Sequence, residues 1–212
     1  MRRRVAATSR ELARQGLVIG TAGNVSQRAG DTVVITPTGG VLADLTPEEI
    51  VVLDLDGNQV AGDLAPTSEL ALHLGVYHRY DAGAVVHTHA PMATALACVL
   101  DELPLVHYTM LALGGPVRVA PYRTFGTPEL AEVTLDALRD RTAALMANHG
   151  AIVHGPDVET AAQSAQLLEW AAGVYWHAAA IGAPRTLDER EAQAVIAAVV
   201  ERGYGATRRR PA

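Results

Sequence analysis

The chain has one cysteine, Cys98, in 212 residues, so no internal disulfide can form and a disulfide-stapled scaffold is excluded. Cys98 lies in the apolar stretch Ala95-Leu96-Ala97-Cys98-Val99-Leu100 and reads as a small core residue rather than a nucleophile; a reducing, cytoplasmic location is the expectation. Positive charge is also short. Lys plus Arg number 17 against 23 Asp plus Glu, a net charge of −6, and the basic footprint that non-specific nucleic-acid binding needs is missing. The basic runs Arg2-Arg3-Arg4 and Arg208-Arg209-Arg210 read as solvated terminal charge. No uninterrupted apolar window of about 18 residues occurs, so no membrane span is expected. Ser9, Arg10, Glu11 and Arg14 break up the stretch behind the first arginines, which does not read as a signal peptide. Linkers rich in Gly, Ser or Pro and internal repeats are absent too, so residues 1–212 read as a single domain with a flexible tail over about 203–212.

What is present is enough apolar residue, 49% of the chain, to bury a core, arranged as alternating helices and strands. Val5, Leu12 and their alanine neighbours recur at helical spacing over 3–16, with Gly16 as the C-cap. The β-branched run Thr32–Thr36 stops at Pro37, and Ile50–Leu55 followed by Asp56-Gly57-Asn58 predicts a strand and a hairpin turn. Further along, the pattern predicts a helix over 67–80, a short strand over 84–86 and a helix opened by Pro91. A helix from Thr127 to about Arg139, a strand over 143–148 and a long alanine-rich helix from Asp157 to about Ile181 follow. A last helix runs from about Asp188 to Arg202. Elements interleaved this way predict an α/β fold of layered α/β/α type, and the short hairpin-like connections predict a sheet at least partly antiparallel.

Val85-Val86-His87-Thr88-His89 carries the clearest chemical signal. Residues i and i+2 of a strand share a face, so two imidazoles project side by side as ligands for zinc or another first-row cation. The competing reading is a pair of half-exposed strand histidines. Asn148-His149-Gly150 sets a third imidazole at a strand end, with a glycine that lets backbone approach closely. Thr67-Ser68-Glu69 opens a helix, and a hydroxyl cap with an acid in the first turn explains it without any function. Three neutral imidazoles with one carboxylate would leave a metal net positive and open to substrate oxygens. Gly20-Thr21-Ala22-Gly23-Asn24, Thr36-Pro37-Thr38-Gly39-Gly40 and Thr67-Ser68 could converge N–H groups and hydroxyls on a phosphate. Taken singly each reads as an ordinary turn, and neither glycine loop fits the P-loop or the dinucleotide fingerprint.

Taken in order, GTAGNVS (20–26), ITPTG (35–39), TSE (67–69), VVHTHA (85–90), HYTMLALGG (107–115), APYRTFGT (120–127) and NHG (148–150) resemble the class II aldolases of the fuculose-phosphate and ribulose-phosphate-epimerase group. The resemblance spans most of the chain. It implies a three-layer α/β/α sandwich with a mainly antiparallel central sheet, assembled as a homotetramer with active sites between subunits. It further implies one Zn2+ per subunit, or another divalent first-row metal, held by His87, His89 and His149. Glu69 matches the acid that serves as base and can also ligate the metal. Asn24, Thr38, Gly39, Thr67 and Ser68 match the substrate phosphate-binding positions. Tyr108 matches a catalytic tyrosine that reaches into the adjacent subunit's site, and Tyr204 is similar to a catalytic tail tyrosine of the fuculose-phosphate aldolases. The implied reaction is the reversible cleavage of a phosphorylated ketose, L-fuculose 1-phosphate or a related deoxy-sugar 1-phosphate, to dihydroxyacetone phosphate and an aldehyde.

The same group holds 4-epimerases, dehydratases, decarboxylases and the non-catalytic adducin head domains. The epimerases typically carry Asp at the Glu69 position and a His-Ala-Asp segment where this chain reads Val106-His107-Tyr108-Thr109, which favours the aldolases. A full set of three histidines and Glu69 argues against the non-catalytic relatives. Thr67 departs from the usual serine. Phe125 and the segment around Tyr204 are the candidates for the wall that meets the aldehyde half of the substrate.

Overall fold

The computed structural model describes residues 1–203, so Tyr204 and the rest of the expected flexible tail lie outside the described residues. The chain opens with helix α1 (Arg2–Arg14), closed by Gln15 and then Gly16 at φ +74, where glycine is needed. Strands β1 (Asn24–Ala29) and β2 (Thr32–Ile35) form a hairpin, as do β3 (Val51–Asp54) and β4 (Gln59–Ala61). Then come α2 (Leu70–Arg79), β5 (Ala84–Thr88), α3 (Pro91–Ala97) and β6 (Glu102–Leu103). A 3-10 helix over Tyr108–Leu113 leads to β7 (Val117–Ala120), α4 (Pro128–Ala137), β8 (Ala143–Met146) and β9 (Gly150–Gly155). The long α5 (Val158–Ile181) and α6 (Glu189–Arg202) finish the described chain. Thr127 and Asp157 accept N–H bonds from the first turns of α4 and α5, as their places at the expected helix starts require, and Asp188 forms a reciprocal box with Glu191.

The strands make one sheet of nine in the order β4-β3-β2-β1-β5-β9-β8-β7-β6. Every pairing is antiparallel except that of β7 with β8. Alternate strand residues enter two hydrophobic clusters, as the two-residue period of a strand requires. Val25, Val34, Val86, Leu145 and Val153 share one cluster with Leu12, Leu96 and Leu168 of α1, α3 and α5. Val33, Ile35, Val85, Met146 and Ile152 share the other with Leu72, Val76 and Leu130 of α2 and α4. β5 is buried along its whole length, which explains its unbroken apolar run up to His87.

Three expectations need correction. Cys98 is exposed, not part of the core: it ends α3 as its C-cap, and the apolar stretch continues into solvent with Val99 at 75% exposure. The helix expected over 67–80 starts only at Leu70; its N-cap is Glu69, which makes no side-chain cap bond. The strand expected over 84–86 extends to Thr88, because β1 and β9 pair with it on both sides.

One contact ties a helix start to the sheet end that carries the histidines. The Glu169 carboxylate on α5 accepts the backbone N–H groups of Met92 and Ala93, each at 2.9 Å, at the opening of α3 just after His89. These donors have no partner within their own helix. Glu169→Ala is therefore expected to cost about 1–3 kcal/mol, read from urea unfolding; an unchanged midpoint would show that water replaces the carboxylate at no cost.

Candidate metal centre and anion pocket

The centre is assembled by strand register. Asn24 of β1 pairs directly with His87 of β5, and His87 pairs with Ile152 of β9. His87 is fully buried, and its Nδ1–H donates to the Ala151 carbonyl at 2.9 Å, which leaves the Nε2 lone pair facing the centre. His89 follows the last residue of β5, and its backbone N–H donates to Leu17 O at 3.1 Å. His149 sits in the tight β8–β9 connection after Asn148, whose φ of +54 is a left-handed conformation that asparagine tolerates. Gly150 is required there, since a Cβ on it would lie 2.3 Å from Thr88 O. The three rings have centroids 4.8 to 5.0 Å apart, and one ring nitrogen from each lies within 4.8 Å of the others.

Glu69 completes the cluster. Its Oε2 lies 3.0 Å from His87 Nε2 and accepts from Asn24 Nδ2 at 2.9 Å, while Oε1 is 3.4 Å from His149 Nε2. Oε1 is buried without a hydrogen-bond partner. Burial alone would raise this carboxyl, but His87, Asn24 and His149 outweigh it and hold the acid far below its usual range. Burial also opposes charge on His87, yet the Glu69 carboxylate overrides it and raises that imidazole. His89 and His149 are pulled down to about 4, first by burial and then by His87. Four groups that could ligate a cation thus converge, with an oxygen left unsatisfied among them. That donor set suits a first-row metal in an open site.

Above the centre lies a cavity of about 330 Å³. Two proline-bearing loops form one wall, stitched by backbone bonds from Thr67 N to Thr36 O (3.1 Å) and from Thr38 N to Ala65 O (3.0 Å). This pairing brings Thr38 and Gly39 beside Thr67 and Ser68. With Asn24, Glu69, His89 and His149, all four line the cavity, so the structure unites the expected anion-binding residues with the histidines. Phe125 lines the cavity as expected, together with Tyr122 and Arg123, which the sequence reading passed over. Gly126 holds their loop against Ser68; a Cβ on it would sit 3.0 Å from Ser68 O. Tyr108 is not brought to this cavity within one chain. It lines a separate apolar groove with Leu111, Leu167, Ile196 and Val199.

Sequence reasoning also missed the buried residues behind Glu69. His73 is fully buried and bonds Asn24 and Ser26, and Ser26 in turn bonds Tyr77. A signal was present: Glu69, His73 and Tyr77 recur every four residues on one helical face.

Comparison with known proteins agrees with this geometry. The family model described as class II aldolase and adducin N-terminal domain matches residues 3–176. The 5-deoxy-D-ribulose 1-phosphate aldolase of Bacillus thuringiensis is 39% identical over 193 residues, 90% of this chain and 91% of that one. The L-fuculose phosphate aldolase of Escherichia coli K12 is 41% identical over 196 residues, covering 92% and 91%. Among solved structures, an L-fuculose 1-phosphate aldolase superposes with a TM-score of 0.90 at 33% identity, covering 94% of this chain and 95% of that one.

The electrostatics predict an acid-sensitive fold. His73, His89, His149 and His154 are all held low, burial being the largest cause in each. Below the ordinary imidazole value of about 6.5, the unfolded chain therefore binds protons that the folded chain does not, and stability falls with pH. His87, raised, is protonated in both states there, and Glu69 stays ionised in both until about pH 4.5. Chelator-stripped protein should lose on the order of 1 kcal/mol or more per pH unit between about 6.5 and 4.5, measured from urea midpoints. A flat profile would mean that these imidazoles are not buried neutral.

Proposed function

The chain belongs to the class II aldolase and adducin N-terminal domain family as an aldehyde-lyase, and we propose that it catalyses zinc-dependent, reversible cleavage of L-fuculose 1-phosphate or a related deoxy-sugar 1-phosphate to dihydroxyacetone phosphate and an aldehyde. The observation that carries this reading is the meeting of Glu69 with three imidazoles, two of which, His89 and His149, open onto a cavity walled by hydroxyls and backbone donors. The chain contains no lysine, so a Schiff-base route to the same cleavage has no side-chain amine to use.

His87, His89 and His149 would hold the cation, with Glu69 as an exchangeable fourth ligand; the unsatisfied Oε1 supports that fit. When bound, the cation supplies Lewis-acid stabilisation of the negative charge that builds on substrate oxygen as the C–C bond breaks. The remaining work falls to the chain. Thr38, Gly39, Thr67, Ser68 and Asn24 seat the phosphate with neutral donors, which fixes the register of the ketose over the centre. The C4 hydroxyl gives up its proton and becomes the aldehyde carbonyl as the C3–C4 bond breaks. Glu69, ionised at rest, would relay a proton taken from solvent to the electron pair left at C3; in the condensation direction it removes that proton. Tyr108 of a neighbouring subunit would pass the hydroxyl proton on to solvent, which balances the proton taken up at C3, with Tyr204 as a further tail contribution outside the described residues.

This places the active site between copies of a homotetramer. The apolar groove beside Tyr108 and the half-exposed Trp170 and Trp176 support such contacts. The two hydrophobic clusters, one on each face of the sheet, support a three-layer α/β/α reading, and the continuous nine-stranded sheet supports a single domain. Among the described residues no helix is long and apolar enough to cross a membrane, in keeping with a cytoplasmic enzyme. Identity is about equal to the deoxyribulose and fuculose phosphate aldolases, so the aldehyde half is assigned to Tyr122, Arg123 and Phe125 at the cavity wall.

A retro-aldol assay on metal-analysed protein tests the reading, with dihydroxyacetone phosphate release coupled to its reduction. L-Fuculose 1-phosphate, 5-deoxyribulose 1-phosphate and L-ribulose 5-phosphate would be compared. Release from a ketose 1-phosphate is expected, abolished by chelation, restored by Zn2+ and reduced to near background in His89→Ala. Conversion of L-ribulose 5-phosphate without release from either ketose 1-phosphate would replace the aldolase reading with an epimerase one.

A further inference from the structure

Behind Glu69 runs a chain of buried hydrogen bonds that the chemistry above leaves unused. Glu69, His73 and Tyr77 follow at four-residue intervals along α2 and its cap, and Asn24 and Ser26 lie two apart on β1. Four helical residues rise about 6 Å and two strand residues about 6.8 Å, so the two rows interleave in step. Asn24 Nδ2 donates to Glu69 Oε2 at 2.9 Å, and Asn24 Oδ1 bonds His73 Nε2. Ser26 Oγ lies 2.7 Å from His73 Nδ1 and 2.6 Å from the Tyr77 hydroxyl. None of the five residues is more than 6% exposed.

The chemistry of the atoms fixes the direction of every bond. An ionised carboxylate only accepts, so Asn24 turns its amide nitrogen to Glu69 and its oxygen to His73. That oxygen also only accepts, so the His73 proton sits on Nε2. A neutral imidazole then accepts at Nδ1 from the Ser26 hydroxyl, whose oxygen accepts from Tyr77. Burial, which pulls His73 down to about 3, keeps the ring neutral across the working range. All donors therefore point toward Glu69.

We propose that His73 is a positioning residue which, by donating to Asn24 Oδ1, fixes the orientation of the Asn24 amide and so engages Glu69 Oε2, leaving Oε1 as the oxygen that moves the proton. The proposal rests on the reading of Glu69 as the acid–base group. Without the His73 N–H, Asn24 Oδ1 loses its buried donor and the amide is held in this orientation by the Glu69 bond alone. The alternative orientation sets oxygen against oxygen and displaces Glu69 from the reacting carbon. Ser26 and Tyr77 act one and two steps back, by holding Nδ1 in the accepting state.

Two measurements on the full-length, zinc-loaded protein decide it. In 15N-histidine NMR, His73 should show a neutral ring with the proton on Nε2, unchanged from pH 5 to 8; an imidazolium or an Nδ1–H tautomer overturns the proposal and needs no variant. In the ketose 1-phosphate assay, His73→Phe should lower kcat about 10–100-fold at unchanged zinc content, and His73→Gln, which keeps an N–H for Asn24, should recover most of it. Wild-type kcat in His73→Phe, or equal loss in both variants, also overturns it. Wild-type protein inert toward every ketose phosphate defeats the aldolase reading instead, and the catalytic part of this proposal with it.

Discussion

The antiparallel register that sets Asn24 across from His87 governs the rest of the centre. A slip of one residue would turn His87 to the opposite face of the sheet and bring Val86 into its place. Because β5 is paired on both sides, by β1 and by β9, that slip would break two ladders at once. His87 is held at both nitrogens, by the Ala151 carbonyl and by Glu69, and shows no exposure to solvent. His89 and His149 then need only enter from the two chain segments flanking it, one leaving β5 and one entering β9. Glycine at 150 allows the second approach, since any side chain there would collide with Thr88.

The cavity wall depends on a different device, two loops that would be irregular if separate. Each carries a proline, and Pro37 and Pro66 pair across the gap as an isolated antiparallel bridge. Proline has no N–H to contribute, so the stitching falls to Thr38 and Thr67, whose backbone donors reach Ala65 and Thr36. Their side chains are left to line the cavity. The pocket that results has neutral hydroxyl and amide donors on one wall and imidazoles on the floor.

The histidine spacing was legible because a strand's two-residue period and a neighbouring glycine are local signals. The apolar stop at Pro37, the helix starts at Thr127, Asp157 and Asp188, and the hairpin at Gly57 were legible for the same reason. What stayed hidden depends on contacts distant in sequence. Apolar periodicity says that a face is buried but not what it meets, so nothing local links His73 to Asn24, 49 residues away. Tyr122 and Arg123 gave no periodic signal, because their loop is placed by Gly126 against Ser68. Cys98 was misread for the converse reason. An apolar run counts composition, and α3 ends inside this one, turning Cys98 and Val99 outward.

The start of α2 shows local rules and the site in conflict. Thr67-Ser68-Glu69 looks like a capped helix N-terminus, and a hydroxyl at the cap position would stabilise the fold by about 1 kcal/mol. The chain instead puts Glu69 at the cap position and sends its carboxylate away from the helix, into the histidine cluster. Thr67 spends its hydroxyl oxygen on the Glu69 N–H at 3.3 Å, which fixes the backbone of the acid rather than the first turn of the helix. The helix therefore begins without its side-chain cap, and Oε1 is buried without a hydrogen bond. Both features cost stability, and neither helps α2 to form. They make sense together if the segment is built to present one carboxylate oxygen to a cation and a reacting carbon, with Asn24 and His73 holding the other oxygen in place.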